Sequence, residues 1–338
     1  MEPQNVSAAP LPPAESTEPA TTSSPSDSVT TTLAGADGPP AGRIRKRRVW
    51  LPVILFLLTC VSTFWAGASW WVPANYLFGP DAGIEVRRTL LVHWADGLIY
   101  MACVLAILIT HEMGHFLATL RYRIPATLPY CVPLPISPIG TLGAVIAMDG
   151  TRADRKQMFD IGLAGPIAGL VVAVPIMWIG ILQLDLTQDQ YGGFSLQCPL
   201  AVHWALQYLA PPGYNGGTAI ANSQLNPYFM AGWVGLLITG LNMLPVSQLD
   251  GGHVIYTLFG KWAHWVARGF MVLAIAYVVY MGAYVWTIMI LLVLLIGTDH
   301  PPTRDDNVRL GWFRTALGLA SLAIPVLCFS PLALMVGT

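Results

Sequence analysis

A five-residue run, His111-Glu112-Met113-Gly114-His115, combines two histidines and a glutamate at spacings that suit metal chemistry. On a helix, residues four apart lie one turn apart on the same face, so both imidazoles can reach one ion. Glu112 lies about 100° around the helix from His111, from where its carboxylate can reach a metal-bound water rather than the metal. The spacing therefore predicts a metal site on a helix, with His111 and His115 as two of its ligands.

Zinc is the ion that these residue types favour. Two imidazoles, one carboxylate and an open fourth position are typical of a catalytic zinc site rather than a structural one. Such an ion lowers the pKa of its bound water to about 7 and polarises a scissile carbonyl. Glu112 can then act as a general base toward the water and later pass the proton to the leaving amine. We therefore expect one catalytic Zn²⁺ per chain and no other cofactor.

The surroundings of the motif support a functional interpretation. Glu112 closely follows residues 97–110, which contain no charged side chain. An ionisable residue in the middle of an apolar run is costly to place in a membrane, and it indicates function. The alternative that the residues leave open is a buried hydrogen-bond network of histidine and glutamate that holds no metal.

A third ligand must come from elsewhere in the chain, and Asp250 is the candidate. It follows an apolar run at 228–248, and the charge pattern places it at a depth similar to that of His111 and His115. Asp250 also begins an Asp-Gly-Gly sequence, which is a common turn signal. Chemistry alone therefore leaves a metal ligand and a turn residue as equal alternatives.

The composition indicates a membrane protein. Of the 338 residues, 54% are hydrophobic and 10% are charged, whereas a soluble domain carries about 25% charged residues. The apolar residues fall into long runs, which is the pattern of a protein that crosses the membrane several times. The net charge of −1 gives no indication of nucleic-acid binding. The five cysteines form no C-x-x-C pair, so neither a zinc ribbon nor a disulfide framework is expected.

The apolar runs predict an all-α polytopic fold with about six or seven transmembrane helices. A basic cluster at 43–48 precedes the first run and predicts a cytoplasmic N-terminus. The run at 269–297 is long for one span, and we expect two short helices broken near Gly282. The predicted spans are 50–72, 96–120, 159–182, 228–248, the pair within 269–297, and 315–336.

Residues 124–148 interrupt this helical pattern, because five prolines and two glycines prevent a regular helix. The segment is nevertheless apolar, and non-helical backbone at membrane depth must be buried by protein or border a water cavity. We therefore expect a re-entrant hairpin beside the metal site. Gly140 and Gly143 lie in its second half, which could present a strand edge to an extended substrate. A packing plug is an equal alternative.

Two further polar side chains lie close to these motifs. Asn242 could bond the substrate backbone or a developing oxyanion, and the alternative is a hydrogen bond between helices. For His253 we favour an interfacial histidine at a helix start over a substrate contact. The histidines outside the motifs are expected to be solvated, namely His93, His203, His264 and His300.

In these motifs the sequence resembles a known family. The run at 111–115 and the run at 242–252, Asn-Met-Leu-Pro-Val-Ser-Gln-Leu-Asp-Gly-Gly, together closely resemble the two-part metal motif of the site-2 proteases. The segments 140–146 and 165–169 also resemble motifs of that family. The resemblance covers roughly residues 96–258, and its two-part motif is highly specific.

The resemblance implies that Asp250 is the third zinc ligand. It also implies an intramembrane zinc endopeptidase that hydrolyses peptide bonds in or near transmembrane segments, with Glu112 as general base. Single-span membrane proteins would be its substrates, as in regulated intramembrane proteolysis, and the oligomeric state stays open. Many bacterial members carry a PDZ domain between two core spans, and residues 183–227 are too few for one. The chain therefore resembles the PDZ-less branch.

We expect four regions along the chain. Residues 1–49 form a disordered cytoplasmic tail that ends in the basic cluster, and residues 50–95 form the first transmembrane helix and an outer loop. Residues 96–258 form the catalytic core, and residues 259–338 form the C-terminal transmembrane helices. The expected location is a bacterial plasma membrane, with the active site toward the cytoplasmic side.

Three other functions agree less well with the sequence. A catalytically inactive membrane scaffold is disfavoured because Glu112 is intact. A non-peptidase membrane metalloenzyme would need several clustered histidines, whereas the chain has only seven histidines. A transporter would show internal repeats with paired broken helices, and the chain has one broken element without a matching half.

Overall fold

The computed structural model describes residues 49–77, 82–191, 193–246, 249–298 and 300–336. These residues form mostly helices. The expected tail at 1–49 and its basic cluster lie outside the described residues, apart from Val49. The helices are α1 Trp50–Ala68, α2 Pro73–Leu77, α3 Ala82–Arg121, α4 Arg155–Leu182, α5 Leu200–Leu209, α6 Pro227–Asn242, α7 Asp250–Phe259, α8 Ala263–Met281, α9 Thr287–Ile296, α10 Trp312–Ser321 and α11 Ala323–Cys328.

Within the described residues, four helical segments are long and apolar enough to cross a membrane. They are Trp50–Ala68, Glu85–Arg121, Arg155–Leu182 and Asp250–Met281. The last of these combines α7 and α8. The predicted total of six or seven spans is therefore not confirmed. Helix α6 has 16 residues, and α9 to α11 are shorter still.

Helix α3 has 40 residues and is interrupted by non-helical backbone at His93. At 1.5 Å per residue it would extend about 60 Å, roughly twice the hydrocarbon thickness of a bilayer. The kink separates an N-terminal part that contains Glu85, Arg87 and Arg88 from the apolar part that contains the run at 111–115. The apolar part corresponds to the span that the sequence predicts at 96–120.

Helix α4 begins with a capping box. The Asp154 carboxylate accepts from the backbone N–H of Gln157, and the Gln157 side chain accepts from the backbone N–H of Asp154. This reciprocal pair satisfies two N–H groups that a helix start leaves unpaired. Helix α4 then packs along α3 and α6, which gives the metal motif its neighbours.

The main core forms around α3, α4 and α6. Trp71, Tyr100, Phe229 and Trp233 are almost completely buried in it. Two of these rings keep a polar partner, as buried Tyr and Trp normally do. The Tyr100 hydroxyl donates to the Ile139 carbonyl at 2.9 Å, and Trp233 Nε1 donates to the Gln197 carbonyl at 2.9 Å. The core thereby joins the helices to the segments that connect them.

The proline-rich segment contains a β-hairpin. Strand β1, Tyr130–Pro133, pairs antiparallel with β2, Thr141–Val145, and Cys131 faces Ala144 in the register. Strand pairing satisfies backbone groups in a sequence whose prolines prevent a helix. The hairpin packs against α1. A hairpin is therefore present where one is predicted, while its re-entrant position in a membrane stays a prediction.

A second small sheet corrects the expectation of an all-α chain. Strands β3, Phe194–Gln197, and β4, Ala219–Ala221, pair with each other, and β5, Leu334–Val336, pairs with β3. Leu196 and Leu206, from this region, are fully buried in the main core. Residues 183–227 therefore pack onto the helices and share the main core.

Two predictions concern the C-terminal region, namely a helix break near Gly282 and a span at 315–336. The expected break near Gly282 is present, because α8 ends at Met281 and Gly282 adopts φ +66°. The expected span at 315–336 is not confirmed. Helices α10 and α11 meet at Leu322, α11 ends at Cys328, and the chain continues into β5. Pro331 follows the end of α11, where proline cannot continue a helix.

Candidate metal centre

Three candidate ligand atoms converge between α3 and α7. The Nε2 atoms of His111 and His115 lie 3.2 Å apart, and they lie 3.2 and 3.3 Å from the two carboxylate oxygens of Asp250. Ligands about 2.0–2.1 Å from a tetrahedral zinc ion are separated by about 3.3–3.4 Å. Each separation is close to this value, with the two histidines on different oxygens of Asp250, and with one oxygen taken the three ligand atoms lie within 4.8 Å of one another. The donor set and its spacing therefore fit Zn²⁺.

The protonation of His115 also suits a metal ligand. Its Nδ1 atom lies 2.8 Å from the backbone carbonyl oxygen of Ile161 on α4. A carbonyl oxygen only accepts, so Nδ1 carries the hydrogen, and in the neutral ring Nε2 then has the lone pair that a metal ion needs. Metal-binding histidines typically donate their other ring N–H in this way, which fixes the tautomer and the ring orientation.

The position of Asp250 follows from the turn between α6 and α7. Met243, Leu244 and Val246 are buried, and Asp250 is the first residue of α7. Gly251 packs directly against the Met243 carbonyl, where a side chain would not fit. The N-terminal turn of a helix favours negative charge. The turn therefore delivers a carboxylate to the imidazoles, with only 13% of the Asp250 side chain exposed.

Two glycines on α4 make room for the imidazoles. A Cβ atom on Gly165 would overlap the ring of His115, and a Cβ on Gly169 would lie 3.0 Å from Nδ1 of His111. These glycines begin and end the Gly-Pro-Ile-Ala-Gly run at 165–169. The run is one of the segments that resemble motifs of the site-2 proteases. Its two glycines leave the space that the imidazoles of His111 and His115 occupy.

Glu112 lies beside the three converging residues. Its side chain is buried, and it lines a cavity of about 160 Å³ together with His111, His115 and Asp250. The backbone N–H of Ile146, just beyond β2, is hydrogen-bonded to the Glu112 carboxylate. The hairpin therefore orients this carboxylate toward a space large enough for water.

A comparison with known families identifies the family of the chain. Residues 99–286, more than half of the chain, match peptidase family M50. The chain belongs to peptidase family M50, the site-2 proteases. This confirms the resemblance on which the sequence analysis relies. Both the family and the His-His-Asp group indicate Zn²⁺ as the cofactor.

Similar proteins occur in plants. The chain is 30% identical over 298 residues to the "Probable zinc metalloprotease EGY1, chloroplastic" of Arabidopsis thaliana, which covers 83% of this chain and 53% of that protein. The rice protein of the same name, from Oryza sativa subsp. japonica, is 30% identical over 299 residues, with 83% and 50% covered. Arabidopsis EGY2 is 27% identical over 185 residues, with 51% and 30% covered.

The chain spans about half the length of the EGY1 proteins that it matches. Family membership and the apolar helices identify an integral membrane protein. The names of these relatives place them in chloroplasts, so the comparisons give no support to the expected bacterial plasma membrane. The predicted orientation in the membrane also stays a prediction.

Of the three residues of this M50 protein that are predicted to contact substrate, Asn242 lines the cavity and Gly140 and Gly143 do not. Asn242, the last residue of α6, has its Nδ2 atom 3.3 Å from Nε2 of His111 and lines the same cavity. Gly140 does not line that cavity, because it packs against the backbone of α1 at Ser62 and Thr63. Gly143 also lies outside the cavity, and no atom would contact a Cβ there.

The part of the hairpin that lines the cavity begins at Ala144, one residue after Gly143. Residues 144–146, at the end of β2, line the cavity beside Glu112. In the same strand, Leu142 is 70% exposed and Val145 is 58% exposed. The end of β2 therefore forms the part of the hairpin that contacts the cavity. Gly140 and Gly143 belong to the same hairpin but do not line the cavity.

Sequence reasoning missed a histidine pair next to the centre. His253 lines the cavity that contains Glu112, and its Nδ1 atom lies 2.5 Å from Nε2 of His300. His300 also stacks on Tyr256 at 4.3 Å. Burial lowers the pKa of His300, which is not solvated as expected. His93 is likewise partnered, since Trp70 Nε1 donates to it at 2.9 Å.

The segment that carries His300 is tied to the start of α4. The backbone N–H of Arg304 donates to the Ala153 carbonyl at 2.9 Å, and that of Arg155 donates to the Asp305 carbonyl at 3.3 Å. The Tyr256 hydroxyl donates to Asp306 at 2.8 Å. No local sequence signal relates residues 300–306 to the metal motif, because the contact depends on the path of the chain after α9.

Proposed function

We propose that this M50 protein is a zinc endopeptidase that hydrolyses peptide bonds in or near transmembrane segments of membrane proteins. The observation that carries the proposal is the meeting of His111, His115 and Asp250 within 4.8 Å of one another beside Glu112. Both contributing segments are apolar enough to cross a membrane. The family match and the similarity to proteins named as probable zinc metalloproteases support the same activity.

In this proposal His111, His115 and Asp250 hold the zinc ion. When bound there, zinc would acidify a water molecule and polarise the scissile carbonyl group. The bond from His115 to Ile161 keeps Nε2 available and fixes the ring. Asp250 supplies the negative charge that offsets part of the charge of the ion.

Glu112 is the proposed general base. Its carboxylate lines the cavity but does not belong to the three-residue group, so it is free to accept a proton from water. The same carboxyl group then gives the proton to the leaving amine. The N–H of Ile146 holds one side of the carboxylate, which restricts its orientation. Glu112 therefore acts at the two proton transfers that peptide hydrolysis requires.

Asn242 is proposed to contact the substrate near the reacting carbonyl. Its amide group lies 3.3 Å from His111 Nε2 and lines the same cavity. An amide N–H placed there could stabilise the charge that develops on the carbonyl oxygen. The interaction would strengthen in the transition state, because the oxygen gains charge at that point.

The end of β2 is proposed to hold the unwound substrate. A protease acts on an extended backbone, so a transmembrane helix must first open locally. Residues 144–146 border the cavity and could pair with that backbone as an added strand. Gly140 and Gly143 shape the hairpin, and the proximity of Glu112 to Ile146 would bring the paired substrate next to the general base.

The proposed substrates are single-span membrane proteins, and the proposed site lies toward the side that carries basic residues. Arg121 and Arg123 follow His115 within eight residues along α3 and its end. Positive residues at span ends mark the cytoplasmic side or its organellar equivalent. This supports an active site nearer that side of the membrane, with the N-terminus on the same side.

The test uses purified full-length protein in proteoliposomes with a panel of single-span membrane proteins. We expect cleavage of at least one member, loss of cleavage on zinc chelation, and recovery on addition of Zn²⁺. Comparative membrane proteomics of cells with the wild-type protein or an Asp250→Asn variant supplies the panel, because an uncut substrate accumulates in the variant. Cleavage that persists after complete removal of zinc would contradict the proposal.

A further inference from the structure

Helix α5 has apolar side chains on two opposite faces. Val202 and Leu206 lie on one face and are buried in the main core. Leu200, Trp204 and Tyr208 recur at every fourth position on the other face, where Trp204 is 55% exposed and Tyr208 is 81% exposed. The sequence of α5 includes no charged side chain. A helix that is apolar on more than one face is typical of a position in protein or membrane rather than in water.

The neighbouring helix α4 has an exposed apolar face of its own. This helix is long and apolar enough to cross a membrane. Exposed apolar side chains recur along it at intervals of three and four residues, which places them on one face, namely Val171, Val174, Trp178 and Leu182. Because the protein is an integral membrane protein, an exposed apolar face on a spanning helix is turned toward lipid.

The length of α4 brings Trp178 to the far edge of the hydrocarbon layer. Arg155 and Lys156 begin α4, and Trp178 follows about 35 Å further along the helix at 1.5 Å per residue. The hydrocarbon core of a bilayer is about 30 Å thick. With the basic residues at one headgroup level, Trp178 therefore reaches the opposite level. Trp and Tyr are enriched at both levels, because their rings are apolar and carry a polar group.

Tyr208 connects the exposed faces of α4 and α5. Its ring centre lies 6.5 Å from the ring centre of Trp178, so the two rings lie at a similar depth. Trp204 precedes Tyr208 by about 6 Å along α5 on the same face. The face of α5 that carries Leu200, Trp204 and Tyr208, here named the aromatic face, is therefore continuous with the lipid-facing surface of α4.

We propose that α5 is an interfacial membrane helix, whose aromatic face inserts at the boundary between lipid headgroups and acyl chains beside the end of α4. The opposite face of α5 belongs to the main core. Insertion therefore fixes the connection between α4 and α6, residues 183–227, to the bilayer surface. This connection contains no Lys or Arg. Burial of apolar side chains rather than attraction to anionic headgroups therefore drives the contact.

The test is photo-crosslinking of the full-length protein in nanodiscs of phosphatidylcholine. The photoreactive amino acid p-benzoyl-L-phenylalanine replaces Tyr208 in one protein and Trp204 in another, because both are exposed aromatic residues outside the core. We expect mass spectrometry to detect a lipid adduct on the peptide that contains the replaced residue. Nanodiscs of phosphatidylglycerol should give the same yield within about twofold, because the connection has no basic side chain to attract the headgroup.

Two other positions serve as matched controls. The same replacement at Val171, on the lipid-facing surface of α4, should give a lipid adduct. Tyr191 is 73% exposed in the same connection, where it follows Asp189 and Gln190 and its backbone N–H donates to the Ser223 hydroxyl. Replacement of Tyr191 should give at least about fivefold less lipid adduct than replacement of Tyr208, because Tyr191 lies outside the aromatic face.

Three results would overturn the proposal. The first is a lipid adduct at Val171 with none at Tyr208 or Trp204. The second is an equal yield at Tyr191 and Tyr208, which would show no preference for the aromatic face. The third is a crosslink from Tyr208 to a second copy of the chain in place of lipid, which would assign this face to an oligomer interface. The readout is contact with lipid, so it is independent of the proposed protease activity.

Discussion

The ring of His115 is held by the backbone carbonyl of Ile161, with 2.8 Å between Nδ1 and the oxygen atom. The carbonyl oxygen only accepts, so the hydrogen lies on Nδ1, and in the neutral ring the lone pair of Nε2 points toward His111 and Asp250. Helix α4 thereby sets the tautomer of a side chain on α3. The contact between these helices therefore orients the ring of His115 toward the other two candidate ligands.

The close approach of α4 to His115 leads to a prediction about zinc content. In the variant Gly165→Ala, the added methyl group overlaps the His115 ring and must displace it. Disturbing a contact that orients a zinc ligand typically lowers metal affinity about 10–100-fold. We expect a loss of that size, measured as the zinc retained by purified protein against a competing chelator.

Gly269→Ala is the matched control for this variant. Gly269 lies in the apolar helix α8, and no atom would contact a Cβ there. The same methyl group should therefore leave zinc affinity unchanged. If Gly165→Ala retains zinc as firmly as Gly269→Ala, the packing of α4 does not position His115.

Asn242 leads to a prediction that separates catalysis from structure. Asn242→Ala should retain zinc, because Asn242 does not belong to the three-residue group. Loss of one oxyanion donor lowers kcat about 10²–10³-fold in well-studied proteases, and we expect a reduction of that order with little change in KM. A variant with normal kcat and a lowered melting temperature would instead assign Asn242 to a bond between helices.

The hairpin offers a matched pair of glycines. Both have positive φ, +81° at Gly140 and +104° at Gly143, but a Cβ on Gly140 would lie 2.8 Å from the Ser62 carbonyl oxygen. Gly140→Ala therefore adds a steric clash with α1 to the backbone strain, with an extra cost of about 1–3 kcal/mol. Gly143→Ala has the strain alone. We expect the lower melting temperature for Gly140→Ala, and equal temperatures would contradict the packing described.

Asp306 leads to a prediction about pH. Partial burial opposes ionisation of its carboxyl group, but bonds from Thr303 and Tyr256 outweigh this and hold the pKa of Asp306 below its usual range. A carboxyl with a lowered pKa stabilises the folded state above its unfolded pKa near 4, and this is lost as the pH falls through the folded pKa. The contribution is therefore complete at pH 7.

Asp306→Asn removes that contribution at neutral pH. Because Asp306 is exposed, we expect about 1 kcal/mol, or roughly a fivefold increase in local opening. The measurement is amide hydrogen exchange of residues 300–310 in both proteins. The difference should be present at pH 7 and should shrink below about pH 4. A difference that does not depend on pH would exclude the charge of Asp306 as its cause.

Much of the centre can be predicted from the sequence because several of its residues are close together in the chain. The spacing of His111 and His115 requires only helical geometry, and the apolar run identifies the helix. The role of Asp250 could not be predicted in this way, because its residue type and position left a metal ligand and a turn residue as equal alternatives. Its approach to the histidines depends on the turn after α6, which the resemblance supplied and periodicity could not.

The rest depends on contacts between distant segments. His300 reaches His253 only because the chain after α9 returns to the start of α4. The strands β3 and β5 lie about 140 residues apart in sequence, and short strands of this kind have weak patterns. The predicted span at 315–336 was apolar enough, but composition does not reveal that the end of this run pairs as a strand.

The central claim is that Glu112 transfers protons at a zinc centre held by other residues. The most direct measurement compares the wild-type protein with Glu112→Gln in proteoliposomes, recording zinc per chain and cleavage of one single-span substrate. We predict about one zinc ion per chain in both proteins and at least a thousandfold slower cleavage by the variant. Cleavage by Glu112→Gln at the wild-type rate, with zinc bound, would contradict the account.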